Sequence, residues 1–92
     1  MFTVRVSDNF HHMDEDETYT QGEYATWAEA VAVSRRIVDR CLAEYQQPGM
    51  TAEALFSRYA AFGEDPLIVP TPEGEKFSAW DYAQERCAAL CG

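Results

Sequence analysis

Basic residues are scarce: seven Lys and Arg stand against sixteen Asp and Glu, a formal charge of −9 over 92 residues. A field of that sign repels phosphate backbones, which excludes ordinary nucleic-acid binding. The one basic cluster, Arg35, Arg36 and Arg40, is surrounded by Glu29, Asp39 and Glu44 and reads as a solvated helix face. Long apolar runs are missing as well. None approaches the ~18 residues of a membrane span, so no membrane association is expected. Met1 leads straight into Phe2-Thr3-Val4-Arg5-Val6 with neither a basic n-region nor an apolar h-region, so no secretory signal is expected. Cysteines are few and odd in number: Cys41, Cys87 and Cys91, the last two on one expected helix. Reduced thiols and a cytoplasmic location follow more readily than a disulfide framework. The five glycines form neither G-x-G-x-x-G nor a phosphate-binding loop.

What the chain does hold is core material. Apolar residues make up 47% and aromatics 13%, far from a disordered composition and enough for one domain over residues 1–92. Phe2, Val4 and Val6 alternate with Thr3, Arg5 and Ser7, the period of a strand with one buried and one wet face. Asp8 to Glu17 has no period and reads as an acidic hairpin connection. Thr18 to Ala25 resumes β-rich composition, with Gly22 marking a bulge or a close approach. Thr26-Trp27-Ala28-Glu29 is a capping box. Behind it Ala30, Ser34, Ile37, Val38, Cys41, Leu42 and Tyr45 form one helical stripe that ends before Pro48-Gly49. Thr51 caps a second helix carrying Leu55, Tyr59 and Phe62, with Gly63 at its C′ position. Leu67-Ile68-Val69 predicts a brief edge strand between Pro66 and Pro70, onto which Lys76-Phe77 pairs back. Ser78 caps a last helix, with Asp81 as the N3 partner. Trp27 and Trp80, each in a first helical turn, are expected to pack back over the sheet. The order β-β-α-α-β-(β)-α predicts an α+β fold, a small antiparallel sheet with its helices on one face.

Few constellations carry chemistry. His11-His12-Met13-Asp14-Glu15-Asp16-Glu17 offers nitrogen and oxygen donors suited to a divalent transition metal, with His11, His12, Asp14 and Asp16 as ligands. Its spacing fits neither an EF-hand loop nor H-E-x-x-H, and a charged hairpin tip accounts for the same residues. Cys87 and Cys91 share a helix face at its C-terminal end, where the dipole does not activate a thiol; both read as core residues. Ser34, Ser57 and Ser78 belong to a helix face, a solvated position and a cap, and no nucleophile elbow exists. No catalytic residue is assigned. The surplus of aromatics is the sharpest functional hint: Phe10, Tyr19 and Tyr24, with Tyr45, are candidates for an exposed binding patch.

The segments VRVSDNFHHMDEDETYTQGEYATWAEAVAVSRRIVDRCL, AAFGEDPLIVP and FSAWDYAQERCAALC resemble a family of short bacterial proteins of uncharacterised function. The resemblance spans nearly the whole chain and implies no activity, cofactor or catalytic residue. It places the acidic connection inside the domain. The reading is a non-enzymatic interaction or regulatory module, working as a homodimer or on a basic or polar protein partner and needing no cofactor. The alternative is a metal-binding protein centred on His11 and His12.

Overall fold

The computed structural model describes residues 1–8 and 18–91. Strands β1 (Phe2–Asp8) and β2 (Thr18–Tyr24) come first, then helices α1 (Trp27–Tyr45) and α2 (Ala52–Phe62), strand β3 (Glu64–Val69) and helix α3 (Ala79–Cys91). The fold is α+β, as the alternation and the stripes predict. Both neighbours of β1 run antiparallel to it, in the order β2-β1-β3. Because side chains alternate across a strand, Val4 and Val6 are buried beneath α1 while Arg5 is exposed on the opposite face. Among the described residues no helix is long and apolar enough to cross a membrane.

Local chemistry sets the boundaries. The Glu29 amide donates to Thr26 Oγ1 at 3.1 Å, the Ala54 amide to Thr51 Oγ1 at 3.1 Å, and the Asp81 amide to Ser78 Oγ at 3.3 Å. Each hydroxyl takes up an amide that a helix start leaves without a partner. The reciprocal half of the first box differs from expectation: Glu29 Oε1 accepts from the Thr26 hydroxyl at 3.3 Å. Asp81 meets Lys76 Nζ at 3.8 Å. α1 closes at Gln46, whose amide donates to the Leu42 carbonyl, and Gly49, with φ +79, supplies the left-handed residue of the Gln47–Met50 turn that leads to α2.

Three expectations are corrected. β3 begins at Glu64 and runs through Pro66, so that proline lies inside the strand and does not bound it. An edge strand tolerates the missing N–H. Lys76-Phe77 forms no strand; the Phe77 ring instead packs against both core clusters. Trp80 does not reach the sheet. It meets Phe56 edge-on at 5.9 Å and Tyr59 at 6.5 Å, because α3 starts beside α2. Trp27 does pack toward the sheet, edge-on to Phe2 at 5.9 Å.

The core has two parts. Val38, Cys41, Leu42, Leu55, Tyr59, Ala79, Ala83 and Cys87 join the three helices. Val4, Val6, Ala30, Ile37 and Ile68 join the sheet to α1. Ser34 lies on the buried face of α1 with no exposure, and its Oγ has no hydrogen-bond partner among the described residues. A buried hydroxyl left unpaired costs about 1–3 kcal/mol, and Ala is the better helix former. Ser34→Ala is therefore expected to raise stability by about 1 kcal/mol, a rise in Tm of roughly 4–8 °C on thermal melting.

Candidate functional site

The aromatic candidates Tyr19 and Tyr24 stand near the two ends of one strand, β2. Phe10, and the proposed metal ligands His11, His12, Asp14 and Asp16, lie outside the described residues. Among the described residues there is no group of three or more His, Cys, Asp or Glu able to hold a metal ion. Tyr45, the other aromatic candidate, has a structural partner: its hydroxyl donates to the Phe62 carbonyl at 3.0 Å and ties the end of α1 to the end of α2.

β2 is irregular at its middle. Val4 pairs with Gly22 and Arg5 with Thr20, so Gln21 is the extra residue of a bulge. Gly22 belongs there for a second reason: a Cβ would stand 2.9 Å from Tyr24 Oη, because the Tyr24 phenol lies back along the strand over it. The body of that ring packs against the sheet-side core cluster. At the other end Tyr19 is 42% exposed, and its hydroxyl donates to Glu64 Oε2 at 2.8 Å, reaching over β1 to β3. Burial, then the hydrogen bond and charge of Glu64, push its phenol up to about 12. Tyr19 is thus a neutral, braced aromatic at working pH.

Between the tyrosines, the flank of β2 meets α1 in a cleft of about 220 Å³ lined by Gln21, Val33, Arg36, Ile37 and Arg40. Val33 and Ile37 form its apolar wall, and the two arginines stand one helical turn apart above it. Both are exposed. Neither forms an ion pair among the described residues, and Asp39, beside them in sequence, is engaged elsewhere. Asp39 accepts from the Tyr82 hydroxyl with both oxygens at 2.9 Å and from Arg86 Nε at 3.3 Å, all from α3. Arg35 is drawn the same way, its guanidinium 5.4 Å from the centre of the Tyr82 ring. The basic cluster of the sequence is therefore split: Arg35 and Asp39 serve the α1–α3 contact, while Arg36 and Arg40 serve the β2 side.

The outer edge of β2 has no strand partner among the described residues. β3 is the other edge, and Pro66 removes a donor from it, a common way of blunting an edge. β2 has no proline. The bare sheet face adds Leu67, 57% exposed, and Val69, 41% exposed. A cavity of about 760 Å³ is an open groove at the α1–α2 turn and the end of α3; among the described residues, Cys91 is its only titratable lining residue. All three cysteines are free. Burial raises the Cys41 and Cys87 thiols, which disfavours thiolate chemistry at either. No known protein family, curated protein or solved structure matches this chain.

Proposed function

We propose that the protein is a non-enzymatic interaction module that takes an extended segment of a partner, or of a second copy, as a fourth strand on β2. The observation that carries this reading is the combination of a strand edge without a partner among the described residues, two tyrosines and a side-chain cleft. Strand addition draws its affinity from main-chain hydrogen bonds and its selectivity from pockets for alternate side chains. The bulge at Gln21 and the cleft beside it supply such a pocket. Tyr19 adds a large, rigid contact surface at low entropic cost, held in place by Glu64.

A photo-crosslinking residue in place of Tyr19 tests the reading in cells that express the protein. The expected result is one discrete adduct after irradiation that is absent when the same residue replaces Glu53 on α2. An adduct of twice the chain mass assigns a second copy, and any other discrete mass assigns a different protein. Labelling equal at the two positions would overturn the assignment of β2.

A further inference from the structure

We infer that the segment received by β2 is acidic, with two carboxylates on alternate residues facing Arg36 and Arg40; this rests on the β2 reading above. The sign runs against the whole-chain charge of −9, which by itself would favour a basic partner. Local composition decides it. Among the described residues the cleft is lined by two guanidinium groups and no carboxylate. Of the acids nearby, Asp39 is paired with Arg86 and bonded by Tyr82, and Glu64, which keeps its charge, is turned to Tyr19 from β3. Glu44 lies one turn further along α1, and Glu23 points from β2 to the bare face, opposite Thr3.

Geometry supplies the spacing. Arg36 and Arg40 are four residues apart on a helix, an advance of about 6 Å. Alternate residues of a strand advance about 6.7 Å and point the same way. Side chains two apart on an added strand therefore match the spacing of the two arginines. Arginine is the natural group for this, since its planar fork binds a carboxylate by paired hydrogen bonds. Pairing β2 on the β2 of a second copy has the opposite property. It would bring four arginines together around one axis with no acid from either cleft, a like-charge arrangement that opposes association.

Two blocked nonapeptides of Thr and Val test the inference, one with Glu at its fourth and sixth positions and one with Gln there. Each is titrated into isotopically labelled full-length chain at low salt, following backbone amides and the Nε–H signals of Arg36 and Arg40. The Glu peptide is expected to shift β2 and both arginine signals and to bind about tenfold more tightly than the Gln peptide. Arg36→Gln/Arg40→Gln should bring the Glu peptide down to the Gln level. Both positions are exposed, so an unchanged circular dichroism spectrum is expected of the double variant. Raising salt should erase the difference between the peptides. Equal affinities with shifts confined to β2 would overturn the acidic inference and leave strand addition standing. Shifts away from β2, or none with either peptide, would overturn both.

Discussion

Gly63→Ala is expected to cost about 2–4 kcal/mol, a large part of the roughly 5–14 kcal/mol available to a chain of this length. Backbone strain is not the cause. Gly63 has φ −77 and ψ 179, a conformation open to any residue, where a left-handed C-terminal glycine is expected from the sequence. The cost is steric. A Cβ would stand 2.5 Å from Tyr59 Cδ1 and 2.8 Å from the Tyr59 carbonyl oxygen. Neither atom can retreat cheaply. The Tyr59 side chain is wholly buried, its hydroxyl donates to the Glu64 carbonyl at 2.7 Å, and its ring meets Phe56 and Trp80. The Gly63 amide donates to that same Tyr59 carbonyl at 2.8 Å, which fixes the backbone. Gly49→Ala is the control, since its Cβ meets nothing within 4 Å and only the left-handed φ of +79 opposes it. A loss of about 1–2 kcal/mol is expected there. Urea denaturation of both variants separates the causes. A Gly63→Ala midpoint equal to or above that of Gly49→Ala would show that the Tyr59 ring is free to swing aside.

The contrast between these glycines marks how far local sequence reaches. Thr26, Thr51 and Ser78 announce their helices because capping is settled within four residues, and Phe2, Val4 and Val6 announce β1 because alternation needs no partner. Pro66 hides two residues of β3, since whether a proline ends a strand depends on which edge its nitrogen faces. Phe77 hides because its ring serves both core clusters, a role set by where α1 and β3 meet it. The candidate site is half legible. Tyr19, Tyr24 and the irregularity at Gly22 stand out by composition. Arg36 and Arg40 do not, because in sequence Asp39 and Glu44 neutralise them. Asp39 is removed from that account by Tyr82 and Arg86, which lie 43 and 47 residues away. The charge of the cleft is therefore a tertiary property, and only the i, i+4 spacing of two arginines around the apolar Ile37 hints at it.

Leu42→Ala carries the other large effect, and it tests whether the two core clusters melt as one domain. Leu42 is wholly buried where the three helices meet, and such truncations cost about 2–5 kcal/mol. Ile37 belongs to the sheet-side cluster, and Ile37→Ala is expected to fall in the same range. Both residues sit on α1, and Phe77 packs against both clusters, so loosening either one removes support from the other. The tryptophans report the two separately: Trp27 lies with the sheet-side cluster beside Phe2, and Trp80, on α3, packs against Phe56 of α2. Trp27→Phe and Trp80→Phe backgrounds leave one reporter each. With Leu42→Ala in both, the two fluorescence transitions are expected to move to lower denaturant together and to coincide, as one cooperative unit requires. Trp80 melting well ahead of Trp27 would divide the chain into a helical part and a sheet part, with α1 as the seam between them.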